Sequence, residues 1–155
     1  MKYWLMKSEP SEYSIVDLEK DGVEMWDGVR NYQVRNFMRD EMRVGDLALF
    51  YHSNAGKETG VVGVMKIVRN AYPDPTQFDK KNKHYDAKST HENPRWLCVD
   101  VEHLETFRQP LTLSEIKTKS EFSSIPLVQK GNRLSIMPLS DTIFNKMIFL
   151  SKNGG

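Results

Sequence analysis

The chain has 155 residues, 39% of them hydrophobic and 28% charged, with a formal net charge of +1 and a single cysteine. That length suits one domain able to bury its own core, while the lone Cys98 excludes an internal disulfide, no Cys/His grouping has zinc-site spacing, and a reducing compartment is the natural setting. The near-neutral charge excludes a protein that grips nucleic acid by its phosphates alone, so any such role must rest on a local pocket and a local patch.

The first ten residues hold only a short apolar run with no small-residue cleavage site and do not read as a signal peptide. Nothing approaches the ~18 apolar residues of a membrane span. Lys2 to Lys7 alternates and is aromatic-rich, which predicts a strand that Pro10 stops. Lys7, Ser8 and Glu9 then set an ammonium, a hydroxyl and a carboxylate at the strand's end. Ser14 caps a short helix with Asp17 at its third position, and Asp21-Gly22 ends it. Val23 to Trp26 extends briefly.

Trp26-Asp27-Gly28-Val29-Arg30-Asn31 follows, an exposed-looking aromatic, a glycine turn, an arginine and a plausible N-cap. Val34, Phe37, Met38 and Met42 then recur at helical spacing. A helix N-terminus offers free N–H donors and partial positive charge. A planar ring could stack on Trp26 there while Arg30 and Asn31 read its edge. On local pattern alone, a surface loop whose Trp merely packs is the simpler reading.

Leu47 to His52 is a continuous apolar run between turn residues, which predicts a strand buried on both faces. His52 and Ser53 sit at its polar end. With no carboxylate or nucleophile near in sequence, His52 reads first as a hydrogen-bonded structural residue. The glycines of 55–60 lack phosphate-loop spacing, which excludes triphosphate binding by that motif.

Val61 to Tyr72 reads as a long strand with Gly63 at a bulge or close approach. Pro73 and Pro75 break it and would hold a projecting Phe78 at low entropic cost. Lys80, Lys81, Lys83 and Lys88, with His84, Tyr85 and His91, form a basic stretch able to follow a nucleic-acid backbone, although a solvated loop has the same composition. Leu97 to Phe107 alternates with a phase shift at Glu102-His103, and its Cys98 has no activating cation. Thr112 to Glu115 is a capping box opening a short helix. Leu127, Leu134, Ile136 and Met137 are candidate core, with Pro138 ending a short extended piece. Ser140-Asp141 opens a final amphipathic helix. One domain over residues 1–150 and a frayed tail over 151–155 are expected.

Five blocks run in order along the chain: Tyr3 to Pro10; Trp26 to Gln33 with Arg35-Asn36; Gly45-Asp46 with Phe50 to Ser53; Pro73 to Phe78; and Pro94-Arg95-Trp96. Together, and onward to Leu134–Pro138, they resemble the signature blocks of the EVE domain family. Val34 stands where that family usually has a small residue, a change that bears on helix packing. The resemblance implies an α+β, PUA-like fold, a strongly bent, barrel-like mixed β-sheet with flanking helices, related to the YTH domain that reads methylated adenine. It also implies a modified base flipped into an aromatic-lined pocket. Trp26 is the first candidate wall and Phe78 or Tyr51 a second, with Lys7, Ser8, Arg30, Asn31, His52 and Ser53 as edge-reading groups. Arg35, Lys80, Lys81, Lys83 and Lys88 are the candidates for backbone contact.

The function expected is a non-enzymatic reader of a modified base, a methyl- or hydroxymethyl-cytosine in DNA or, as the nearest variant, a modified base in RNA. No cofactor, metal, membrane or obligate protein partner is implied. Two other classes remain: a base- or nucleotide-processing hydrolase using Glu9 or Asp27 as base near His52, and a protein-interaction module. No paired carboxylates, triad spacing or metal set favours catalysis. No basic nuclear-targeting tract is evident, so residence in a bacterial cytoplasm or nucleoid is expected, or in the nucleus of a eukaryote.

Overall fold

The computed structural model describes residues 1–153. Its strands are β1 (Tyr3–Ser8), β2 (Val23–Trp26), β3 (Leu47–His52), β4 (Gly60–Pro73), β5 (Leu97–Thr112) and β6 (Ile136–Leu139). The helices are α1 (Ile15–Asp21), α2 (Tyr32–Asp40), α3 (Leu113–Lys117) and α4 (Asp141–Asn153). The six strands form one mixed sheet in the order β2-β5-β4-β3-β1-β6, with β1 and β3 parallel and the other pairs antiparallel.

Both sheet faces are covered, and the central strands show it. On β1 and β3 the residues Trp4, Met6, Ala48 and Phe50 face a core shared with Ile15, Leu18, Val34 and Met38 of α1 and α2. Leu5, Leu49 and Tyr51 face the opposite core, filled by Ile116, Phe122, Phe144 and Met147. Trp4, Leu5 and Met6 of β1 are therefore buried in succession, rather than on alternate residues, because both faces of the sheet are covered, while Tyr3, Lys7 and Ser8 are half-buried.

The long hairpin β4–β5 carries several register shifts, one at Gly63. A side chain there would drive into the Glu105 carbonyl and the Ile15 side chain, so the close approach requires glycine. Such bulges bend the strands they interrupt. Pro138 lies inside β6 instead of ending it, which an edge strand tolerates because the missing N–H faces outward. Residues 151–153 form the last turn of α4 and not a frayed tail, with the Ser151 hydroxyl donating to the Met147 carbonyl at 2.7 Å. Residues 154–155 lie outside the described residues. No described helix is long and apolar enough to cross a membrane.

Candidate nucleic-acid interface

The site begins where β2 ends. Trp26 is the last residue of that strand, opposite Val99 of β5, and its indole meets the Phe50 ring edge-on at 5.3 Å between centroids. The ring is only 8% exposed, so the expectation of an exposed aromatic is corrected: β2 turns it into the core beneath α1 and α2. It nevertheless borders an open cleft of about 810 Å³.

The turn after Trp26 is fastened from behind. Gly28 has φ +80°, a left-handed conformation that suits glycine, and its N–H donates to the Asp74 carboxylate at 2.8 Å. Asp74 is fully buried and also accepts from the Thr76 N–H and hydroxyl at 2.8 and 2.6 Å, and from Arg30 at 3.1 Å. Burial works to raise its pKa, yet the bonds from Thr76, Gly28 and Arg30 outweigh it and hold the carboxyl below its ordinary value. Gln77, also fully buried, donates to the Asp74 and Trp96 carbonyls and accepts from the Arg95 and Trp96 N–H groups. The Trp96 indole N–H in turn reaches Asp86 at 2.7 Å. Three of the sequence blocks thus lock together and bring the 81–84 segment over the turn, where the His84 ring lies against Gly28.

The cleft lies between this segment, the Trp26–Gly28 turn, and the end of β1 with the loop that follows it. Lys7, Ser8, Trp26, Lys81 and Lys83 come together there, as do Tyr13 and Asp27. The Ser8 hydroxyl donates to the Tyr13 carbonyl at 2.8 Å. Burial holds the Lys7 ammonium below the ordinary lysine value, and it makes no ion pair among the described residues. Burial, and then the charge of Asp74, lifts the Asp27 carboxyl above the usual range. Lys83 bonds Glu12 across the cleft at 2.5 Å.

The other expected pocket residues do not line the cleft. Arg30 spends its donors on the His84 and Val29 carbonyls, Asp74 and Thr76, so it is a fastening and not an edge reader. Asn31 caps α2, its side chain accepting from the Val34 N–H at 3.0 Å. Tyr51 faces the opposite core, where burial pushes its phenol up to about 12. His52 accepts the Ile15 N–H at 3.0 Å, and burial lowers its pKa, so it is a neutral structural imidazole. Ser53 donates its N–H to the Ser8 carbonyl. Phe78 stacks on His91 at 4.0 Å.

Among the backbone-contact candidates, Arg35 is turned to the Arg95 carbonyl, Asn36 and the Tyr32 ring. Lys80 and Lys88 are exposed but do not line the cleft. Glu9 accepts from Asn54 at 2.7 Å and His52 from Ile15, so the two are not hydrogen-bonded to each other. Burial pushes the Cys98 thiol up to about 12, in keeping with an inert core position. Sequence reasoning passed over Tyr13 and His84 as pocket residues. His84 reaches the cleft by a loop that distant residues hold, its carbonyl accepting from Arg30, whereas Tyr13 sits on a turn closed locally by its N–H to the Glu9 carbonyl.

A mixed sheet between two helix layers, with a cleft at the strand ends, defines an α+β domain of PUA-like type. The chain matches the EVE domain over residues 2–149 and belongs to that family. It is 43% identical over 168 residues to thymocyte nuclear protein 1 of Gallus gallus, covering 97% of this chain and 69% of that protein. Among solved structures, a Pseudomonas syringae protein is similar with a TM-score of 0.93 and 47% identity, covering 96% of this chain and 99% of the other. The human THYN1 protein, crystallised in complex with 5-methylcytosine containing DNA, is similar with a TM-score of 0.91 and 41% identity over 99% of each chain.

Proposed function

We propose that this chain is a non-enzymatic reader of a modified base, a modified cytosine in DNA, which it holds flipped into the cleft beside Trp26. The observation that carries this reading is the convergence of an indole wall and three lysines, Lys7, Lys81 and Lys83, on the lining of one open cleft. The likeness to a human protein bound to 5-methylcytosine containing DNA supports the choice of polymer and mark. Trp26 and Tyr13 supply apolar walls, and Lys7 and Ser8 supply donors at the base edge. Lys81 and Lys83 meet the phosphates.

Stacking is worth ~1–3 kcal/mol per base and extrusion costs a few, so walls and edge contacts together offset the flip. A recess for one methyl group adds only ~1–3 kcal/mol of preference, so the reader is selective and not absolute. The test is a binding series on oligonucleotides of one sequence carrying cytosine, 5-methylcytosine or 5-hydroxymethylcytosine, as DNA and as RNA, with the products checked after incubation. Tightest binding to modified DNA, with the base recovered unchanged, is expected. Equal binding to marked and plain strands would refute the reader, tighter binding to RNA would reassign the polymer, and an altered base would make the chain an enzyme.

A further inference from the structure

The cleft is lined by three carboxylates, and two of them are engaged. Glu12 pairs with Lys83, and Glu24 accepts the Met25 N–H at 2.8 Å. Asp27 makes no side-chain hydrogen bond or ion pair with any other described residue. Yet its position is well held: Trp26 before it is packed in the core, and Gly28 after it is tied to the buried Asp74. The result is an unpartnered acceptor on a well-held backbone, at the cleft and one residue from the indole wall.

Resting on the reading of the chain as a cytosine-mark reader, we propose that Asp27 is the specificity residue that separates 5-methylcytosine from thymine, by accepting from the base's exocyclic N4 amine. The need for such a residue follows from the chemistry of the two bases. Thymine carries the same 5-methyl group, so a methyl recess takes both. Stacking is tolerant of base identity, and the O2 carbonyl that a lysine such as Lys7 can bind is common to both. What differs is the opposite part of the edge. At position 4, cytosine carries an N–H donor and thymine a carbonyl oxygen. A carboxylate set against that position gains a charge-assisted hydrogen bond with the first and meets lone pairs on the second. Set against that amine, a lysine ammonium has no lone pair to offer and a serine hydroxyl suits amine and carbonyl alike, whereas Asp27 is the one cleft carboxylate that gives up no partner to take the base.

The test uses the full chain and three DNA oligonucleotides alike except at one base: 5-methylcytosine, thymine, and 5-methyl-2-pyrimidinone, which is 5-methylcytosine without its amine. The wild-type chain is expected to bind the first about tenfold or more tighter than the other two, the scale of one good base-edge contact. Asp27→Ala removes an open side chain without partners, so its melting temperature should match the wild type, and it should bind all three within about threefold of one another. A variant that still separates 5-methylcytosine from the other two as the wild type does would overturn the assignment of Asp27 while leaving the reader intact. A wild-type chain that binds 5-methylcytosine no tighter than thymine would overturn this inference alone, whereas one that binds it no tighter than plain cytosine, in the binding series above, would overturn the reader and this inference with it.

Discussion

Trp26 serves the core and the cleft at once, so its truncation must be interpreted with both in view. The indole is 8% exposed and packs on Phe50. Trp26→Ala therefore leaves a cavity, and buried aromatics cut to alanine cost ~3–5 kcal/mol. Such a loss could unfold a large fraction of a marginal domain, and weak binding would then say nothing about stacking. Trp26→Phe keeps a ring in the core while shortening the wall. The expected outcome is a modest loss of thermal stability with a clear loss of affinity for the modified oligonucleotide, measured by melting and by titration on the same preparation. If affinity stayed at the wild-type level in a folded Trp26→Phe chain, the wall would have to lie elsewhere. Asp27, one residue on, is the converse case: a side chain with no partners, whose removal reads function with little cost to the fold.

The elements legible in the sequence were those whose physics is local. The Ser14–Asp17 capping box and the Asn31 cap are visible because the cap and the N–H that it serves lie three residues apart. Leu47 to His52 is legible because a run apolar on both faces has one strand-like home, the sheet interior. The site was legible only in part, since Lys7, Ser8, Trp26, Lys81 and Lys83 meet in the cleft whereas Arg30 and Asn31 turn away from it. Arginine and asparagine beside a tryptophan look alike whether they read a ligand or bind their own chain. For Arg30 the position of Asp74, distant in sequence, decides between the two, while Asn31 is spent on its own helix cap. That hub yields a prediction. Asp74→Ala takes the acceptor from the Gly28 and Thr76 N–H groups, while the part-exposed Arg30 keeps its bonds to the His84 and Val29 carbonyls, and groups left unpaired in this way cost ~1–3 kcal/mol, to be measured by denaturant unfolding. Because its folded pKa is depressed, the Asp74 contribution is present above the ordinary carboxylate value of ~3.9 and is lost as pH falls through the lowered one. The variant should therefore lose part of the acid sensitivity of the wild type, and unchanged unfolding would remove Asp74 from its place as the hub of the turn.

Over the whole molecule the charges nearly cancel, with a net of +1, so long-range attraction to DNA is weak and the cleft's own cations must carry the phosphate contacts. Lys81 and Lys83 line it on the strand side, and if each neutralises one phosphate the plot of log affinity against log salt should have a slope of about −2. Lys83 is held in the free protein by Glu12, and both side chains are more than half exposed. Exposed pairs of this kind are worth ~0–1 kcal/mol, little enough for a phosphate to displace the carboxylate. Two substitutions follow from that exchange. Lys83→Ala should weaken plain and modified oligonucleotides alike and make the salt slope shallower by about 1. Glu12→Gln should tighten both alike, because it frees Lys83 and removes a negative charge from the path of the strand, while the ratio between marked and plain DNA stays as it was. A wild-type slope steeper than about −6 would mean that the phosphates are gripped over a much wider face than this cleft. In that case the basic residues outside it, Lys80 and Lys88 first, would be the ones to remove next.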